Sequence, residues 1–188
     1  MPSALSHAAI PLALGLGLGT GLVSRRLLVA GVVASLVPDL DVLAFRLDIA
    51  YSDAFGHRGA SHSLVFAAAL AVIALACAGP LHSSRRNAFC FVLVGAASHG
   101  LLDMLTNGGL GVALWWPWSS ERLFWPWRVI EVSPLSLRRI ASAEGFEVIR
   151  SELLWVWLPA VAVGVALAVL RRRLRLPGQG RVRKLRQP

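Results

Sequence analysis

The stretch LLWVWLPAVAVGVALAVL, residues 153–170, runs for eighteen residues without a charge. A transmembrane helix needs about 20 mostly apolar residues, so this stretch is close to a membrane span by itself. Residues 64–81 form a second uncharged run, and residues 8–23, 27–45 and 88–106 are apolar apart from a few His and Asp residues. The sequence therefore predicts an all-α, polytopic helical membrane protein with about five transmembrane helices.

The composition supports a single membrane domain. The 188 residues are 56% hydrophobic and only 15% charged, and the mean hydropathy is +0.63. An average soluble domain is less apolar and more highly charged, and this length suits one domain. We expect a helical membrane domain over residues 1–170, which includes an outer interfacial segment at residues 119–151, and a basic cytoplasmic tail over residues 171–188.

The distribution of arginine predicts the orientation of the chain. Clusters of arginine occur at residues 25–26, 85–86 and 171–173, each at one end of an apolar span. Cytoplasmic loops carry an excess of Lys and Arg. Placing all three clusters inside gives a five-helix path with the N-terminus outside and the C-terminus in the cytoplasm. We therefore expect a multi-pass membrane protein.

The net charge of +9 favours membrane lipids over nucleic acid as a partner. Eight of the nineteen basic residues lie in the acid-free tail 171–188, where they would attract anionic headgroups. No aromatic platform accompanies this charge, so nucleic-acid binding is not expected. All seven tryptophans lie between Trp115 and Trp157. Since Trp prefers the membrane interface, we interpret them as an anchor, with a tryptophan-lined substrate groove as the alternative.

Four short motifs place histidines and acids in or beside the apolar runs. They are His7, Pro38-Asp39-Leu40-Asp41, His57-Arg58-Gly59-Ala60-Ser61-His62 and His99-Gly100-Leu101-Leu102-Asp103. Ionisable groups in a membrane segment are costly and mark a functional site by default. His with Asp is a ligand set for zinc or a related divalent metal. All four motifs lie on the outer side of the five-helix path, so the sequence predicts one metal site near the outer leaflet.

Two of the motifs have a spacing with direct structural meaning. His99 and Asp103 are four residues apart, so they share one face of a helix. Both could reach one metal, or Asp103 could orient the imidazole; the alternative is a buried His–Asp hydrogen bond between helices. Asp39 and Asp41 would diverge on a regular helix, but Pro38 disturbs the helix there. We expect both carboxylates to turn inward, with a helix-capping role as the alternative.

The segment at residues 57–62 supplies further polar groups. Gly59 permits a tight turn, and Ser61 is a good N-cap for the apolar helix that follows. His62 would then lie at a helix start, where the backbone favours a neutral imidazole. Arg58 is suited to hold an anionic group such as a phosphate, with an exposed loop charge as the alternative.

These residues give a defined set of site roles. We expect Asp41 to act as a bridging ligand or general base and Arg58 to hold the charge of the substrate. Glu131 and Glu152 could complete the coordination shell or be surface acids, and His82 lies apart, near the cytoplasmic arginines. The predicted cofactor is one or more divalent metal ions, zinc first, with manganese or iron as alternatives. The predicted metal ligands are His7, Asp39, His57, His62, His99 and Asp103.

The same motifs resemble a known family of bacterial inner membrane proteins. The early His7, the PDLD and HRGxSH segments, and the HxxxD helix followed by Thr106, Gly109 and Pro117 resemble the YdjM-type family over residues 7–117. This resemblance implies a membrane-bound, metal-dependent hydrolase. A looser similarity to zinc-dependent phospholipase C and P1-type nucleases implies a multi-zinc site that cleaves phosphoesters. Residues 119–188 carry no matching motif, which leaves the substrate open.

The predicted function is a metal-dependent hydrolase, embedded in the inner membrane, that cleaves a small-molecule or lipid phosphoester at the outer face. The rival class is an ion, proton or metal transporter, or a metal-handling protein, because intramembrane His and Asp also build ion relays. A transport path needs polar residues that reach both faces, and the inward halves of the predicted helices carry none. The hydrolase is therefore the preferred interpretation, and the sequence leaves the identity of any protein partner unknown.

Overall fold

A computed structural model describes residues 2–133 and 142–174 of the chain. Within these ranges the protein is a bundle of apolar helices and has no β-strand. Among the described residues, β-type pairing is limited to two isolated bridges. The second helix continues as a 3-10 helix at Val37–Leu47, and a π-helical turn at Leu153–Trp157 joins the last two helices. The α-helices are α1 (Ala4–Leu18), α2 (Arg25–Leu36), α3 (Leu64–Ala76), α4 (Arg85–Met104), α5 (Ala143–Glu152) and α6 (Leu158–Leu174).

The bundle confirms the all-α membrane class. Counting α2 with its 3-10 extension, and α5 with the π turn and α6, gives five apolar helical rods. Three of them are long and apolar enough to cross a membrane, namely Arg25–Leu47, Arg85–Met104 and Ala143–Leu174. The other two, α1 and α3, are shorter apolar helices.

The two short helices differ from their predicted bounds. α3 was expected to extend to Leu81 but ends at Ala76, which gives it a length of about 20 Å against the roughly 30 Å of a hydrocarbon core. α1 begins at Ala4, before the predicted start at Ala8, and ends at Leu18. Gly19 follows with a positive φ of 76°, which glycine adopts more readily than other residues.

Small residues allow the helices to approach closely. Ala67, Ala71 and Ala88 line the core between α2, α3 and α4. α1 packs on α6 through Gly17 and Gly164, and a Cβ added to Gly164 would lie 2.8 Å from the backbone oxygen of residue 13. Membrane helices associate through such small residues because lipid offers no hydrophobic driving force between them.

The α1–α6 contact gives a first testable prediction. Gly164→Ala should destabilise the protein by about 1–3 kcal/mol, because the new methyl group forces the two backbones apart. A thermal unfolding scan in detergent would measure the loss. Gly79→Ala is the matched control, since a Cβ there meets no atom within 4 Å. Equal melting temperatures for the two variants would contradict the tight contact.

The topology brings four helix ends together at one end of the bundle. These are the start of α1, the 3-10 extension of α2, the start of α3 and the end of α4, and every sequence motif lies there. The loop at residues 105–133 lies beside them. α6 runs on through Arg171–Leu174, so the start of the predicted basic tail is helical, since Arg and Leu are good helix formers. The rest of that tail, residues 175–188, lies outside the described residues, as do residues 134–141 of the predicted outer interfacial segment.

Candidate metal centre

Four of the predicted ligands converge in one buried group. His7 comes from α1, Asp39 from the 3-10 helix, and His99 with Asp103 from α4. One ligand atom from each residue can be chosen so that all four lie within 4.8 Å of one another. His7, His99 and Asp103 are fully buried, and the side chain of Asp39 is 12% exposed. We refer to these four residues as the His/Asp group.

The nitrogen–oxygen distances between the histidines and the carboxylates of the His/Asp group are all under 4 Å. The Nε2 atom of His99 lies 3.4 Å from Oδ1 of Asp39 and 3.7 Å from Oδ2 of Asp103. The Nε2 atom of His7 lies 3.8 Å from Oδ2 of Asp39 and 3.7 Å from Oδ1 of Asp103. Zinc bonds to nitrogen and oxygen of about 2.0–2.2 Å place the corners of a tetrahedron roughly 3.4 Å apart. These distances involve both oxygens of each carboxylate, and a set with one atom from each residue lies within 4.8 Å, so the group brings four donors around one point.

The hydrogen bonding of these residues also fits a cation. Both ring nitrogens of His7 and both carboxylate oxygens of Asp39 are buried without a hydrogen-bond partner. Buried polar atoms are nearly always paired, and an unpaired buried carboxylate is costly. A divalent cation among these atoms would satisfy them, so the residues present fit a metal site.

His99 is held in the tautomer that a metal ligand needs. Its Nδ1 atom donates to the backbone carbonyl oxygen of Ser35 over 2.7 Å. The proton of the neutral ring is therefore on Nδ1, and the Nε2 lone pair faces the carboxylates of Asp39 and Asp103. A second hydrogen bond of this kind orients most histidine ligands in metal sites.

His62 lies against the edge of the group. Its Nδ1 atom is 3.0 Å from Oδ2 of Asp41, and its Nε2 atom is 3.0 Å from both Nε2 of His99 and Oδ2 of Asp103. Burial lowers the pKa of His62, but the contacts with the carboxylates of Asp103 and Asp41 outweigh it and raise the pKa to about 9.

Asp41 organises a second layer beside the His/Asp group. Its Oδ1 atom is 2.5 Å from Nδ1 of His57, and its Oδ2 atom accepts hydrogen bonds from the Ser61 hydroxyl, at 2.6 Å, and from the backbone N–H of Arg58, at 2.9 Å. The same oxygen contacts His62. His57 was predicted as a ligand, but the structure places it on Asp41 and outside the His/Asp group. One carboxylate thus links two histidines.

Arg58 is buried instead of facing a substrate. It is 1% exposed, and its guanidinium donates to the carbonyl oxygen of Gly108, at 2.9 Å, and to the Thr106 hydroxyl, at 3.0 Å. Its Nε atom lies 3.5 Å from Oδ2 of Asp103. The predicted role of holding a substrate anion needs an accessible side chain. This position supports a different role, in which Arg58 balances the charge of Asp103.

The local backbone explains how the sequence builds this arrangement. Pro38 lies in the first turn of the 3-10 helix, and the changed helix lets Asp39 join the His/Asp group while Asp41 contacts His57. Ser61 was predicted to cap α3, which was wrong, because Ser63 provides that cap by accepting from the N–H of Phe66. Ser61 is instead bonded to Asp41, so the hydroxyl orders the second layer.

The two acids that the sequence left as possible ligands, Glu131 and Glu152, lie outside the His/Asp group. Glu131 is exposed and accepts from the side chain of Asn107. Glu152 is buried and bonds to the start of α1. His82 lies in the loop between α3 and α4, at the opposite end of those helices, beside Arg26. The carbonyl of Ser35 is the group that sequence reasoning missed, because a backbone oxygen leaves no side-chain signal.

Fold and site together define a helical membrane protein with a buried His/Asp centre. The chain matches the family model described as YdjM inner membrane protein over residues 1–174. Inner membrane protein YbcI of Escherichia coli (strain K12) is 47% identical over 168 residues, which cover 86% of this chain and 94% of that protein. No solved structure matches the chain. The chain belongs to the YdjM family, and the match extends well beyond the 7–117 range in which the motifs lie.

Proposed function

We propose that this protein is a membrane-embedded, metal-dependent hydrolase. The observation that carries the proposal is the buried His/Asp group, whose ligand atoms lie within 4.8 Å of one another while the side chains of His7 and Asp39 make no hydrogen bond. Buried carboxylates in a membrane segment persist where they serve a function. This group therefore has the chemistry of a binding site for a divalent metal.

Zinc is the metal that the ligands suit best. Two imidazole nitrogens and two carboxylate oxygens are donor types that zinc prefers, and manganese or iron would accept the same donors. His7, Asp39, His99 and Asp103 would hold the ion, with His62 next to them. When bound, such a metal activates water near neutral pH and polarises the bond to be cleaved.

Asp41 is suited to handle protons next to that centre. It contacts His57 and His62 through different oxygens, so a proton can be held at either ring or shared with the carboxylate. Arg58 and Ser61 donate hydrogen bonds that fix the carboxylate in place. We assign Asp41, with His57, the role of general base.

The substrate that we propose is a phosphoester, from a lipid or a small molecule, reached from the outer face of the inner membrane. The exposed edge of the His/Asp group is the side chain of Asp39. Trp115, Trp118 and Trp127 are each more than half exposed, and they lie on the loop that follows α4 at this end. Exposed tryptophans favour the interface, which supports a site at the level of the lipid headgroups.

The placement of buried charge argues against the transporter alternative. Within residues 2–133 and 142–174, the buried ionisable side chains all lie at the site end of the bundle. A transport path would need such groups through both halves of the membrane. Buried ionisable groups at one end of the bundle instead support a reaction at one face of the membrane.

The replacement Asp41→Asn tests the proposed function. The purified, metal-loaded protein should hydrolyse phosphoesters presented in detergent or in phospholipid vesicles, measured as released phosphate or headgroup. Asp41→Asn should lower kcat about 10²–10⁴-fold, because it removes the proton acceptor, while the metal content stays unchanged. Asp48→Asn is the matched control, since Asp48 is exposed near the end of the same 3-10 helix, and Asn tolerates its left-handed φ of 55°. A metal-loaded protein that cleaves no phosphoester, or full activity in Asp41→Asn, would refute the assignment.

A further inference from the structure

Glu152 is a buried carboxylate that the site chemistry does not use. It ends α5, is 5% exposed, and reaches across to the first residues of the chain. It accepts hydrogen bonds from the Ser3 backbone N–H, from the Ser3 hydroxyl at 2.7 Å, and from the Ser6 hydroxyl at 2.8 Å. Three donors from one short segment thus converge on a single carboxylate.

These bonds supply the cap that α1 lacks. Ser3 is the N-cap residue of α1, but its side chain makes no capping hydrogen bond within the helix because its hydroxyl is directed to Glu152. The N-terminus of a helix carries a partial positive charge, and a carboxylate beside it is stabilising. Glu152 therefore fixes the start of α1 from another helix.

The π-helical turn that follows Glu152 adds a second contact to the same segment. The indole N–H of Trp157 donates to the Ser6 hydroxyl over 3.1 Å. Glu152 and Trp157 are five residues apart, and they would point in different directions on a regular α-helix. In the π turn at Leu153–Trp157, hydrogen bonds join residues five apart, so both side chains reach Ser6. Such turns are frequent at functional sites.

The His7 ring reaches the site through the position of α1, because it makes no hydrogen bond of its own. It directly follows Ser6, and neither of its ring nitrogens has a hydrogen-bond partner. Its ring stacks on His99 with a centroid distance of 3.7 Å. The other ligands sit on α4 and on the extension of α2, so the position of α1 decides whether His7 reaches them.

We propose that Glu152 and Trp157, acting through Ser3 and Ser6, form a clamp that positions His7 in the metal site. Glu152 is thus a positioning residue and not a ligand. The inference rests on the proposed metal-dependent function, and it goes beyond it by assigning a role to the last helix and its π turn. It also explains why a polar network is buried where α1 meets α5.

The test uses Co²⁺ and Zn²⁺ binding by the full-length protein in detergent. The visible absorption of bound Co²⁺ reports the number and geometry of its ligands, and competition with a chelator gives the Kd for Zn²⁺. Glu152→Gln should raise that Kd about 10–100-fold, as is typical when a residue that orients a ligand is lost, and should shift the cobalt spectrum towards that of His7→Ala. Glu144→Gln, an exposed acid on the same helix, should leave both unchanged.

A double-mutant cycle separates positioning from general stability. In the His7→Ala background, Glu152→Gln should cause no further change in the Kd for Zn²⁺, because the ligand that the clamp positions is already absent. Ser6→Ala removes the shared partner of Glu152 and Trp157 and should reproduce the shift in the spectrum. This smaller change decides the question if Glu152→Gln does not fold.

The outcomes distinguish this inference from the proposed function. A wild-type protein that binds neither Co²⁺ nor Zn²⁺ would overturn both. A wild-type protein that binds metal, with variants at Glu152 and Ser6 that keep the wild-type spectrum and Kd, would overturn the clamp alone. A lower melting temperature with unchanged metal binding would assign the network to stability only and would also overturn the clamp.

Discussion

Zinc bound by the purified protein is expected to disappear when His99 and Asp103 are both replaced by alanine. The two residues provide two of the four atoms of the His/Asp group, one turn apart on α4. Structural zinc sites bind with apparent free energies of about 10–16 kcal/mol. Removing half of the ligands removes about 5 kcal/mol or more, which raises the Kd by a factor of about 10³ or greater. Elemental analysis of detergent-purified protein measures the result directly.

The same experiment has a stability readout and a matched control. A chelator should lower the melting temperature of the wild type, because a ligand at 100 times its Kd stabilises the folded state by about 2.7 kcal/mol, and it should have no effect on the double variant. His82→Ala removes a histidine at the other end of α3 and α4 and should retain full metal content. Metal retained by the His99→Ala/Asp103→Ala protein would place the ion elsewhere, and a metal-free wild type would reject the site.

Part of the site was accessible from sequence because local geometry is fixed by spacing. Residues four apart share one face of a helix, so His99 and Asp103 were expected to lie together, and the structure brings them into one group. Pro38 predicts a change in the helix, and the 3-10 extension there gives Asp39 and Asp41 different contacts. The apolar runs likewise predicted the helical membrane class, since about 20 apolar residues have few other stable environments.

The remainder depends on contacts between distant segments, which spacing does not encode. The sequence predicted that both His57 and His62 are metal ligands. In the structure, the ring of His57 contacts Asp41, whereas His62 extends to Asp103. The bond from His99 to the carbonyl of Ser35 involves a backbone oxygen that every residue has. Glu152 could be identified only as an acid near the membrane, because its partner Ser3 lies 149 positions away.

Arg58 shows how the same residue type supports opposite interpretations. An arginine in a motif beside a metal site suggests recognition of a phosphate. The structure instead buries it under the loop that follows α4, with its donors directed to Thr106 and Gly108. Its Nε atom lies 3.5 Å from Asp103, a member of the His/Asp group, so the guanidinium offsets part of the negative charge that a bound cation would also face. Charge balance therefore links Arg58 to the metal without placing it on a substrate.

Replacing Arg58 with methionine should be the most destabilising single change at the centre. The new side chain has similar length but no charge, so Asp103 loses its buried guanidinium partner. Removing one member of a buried ion pair costs about 3–5 kcal/mol, which corresponds to a fall in melting temperature on the order of 10 °C for a protein of this size. The same replacement of Arg46, which is exposed, should change the free energy of unfolding by less than about 0.5 kcal/mol. Its melting temperature should therefore shift by no more than about 2 °C.

The kinetics of this variant decide between the two roles of Arg58. If it binds substrate, Arg58→Met should raise KM and leave the melting temperature close to that of the wild type. If it balances Asp103, the melting temperature should fall whether or not substrate is present, and Arg58→Lys should recover only part of the loss, because one ammonium cannot replace a fork that reaches Thr106, Gly108 and Asp103 together. The buried position of the guanidinium favours the second result, in which the arginine of the motif maintains the centre that binds the metal.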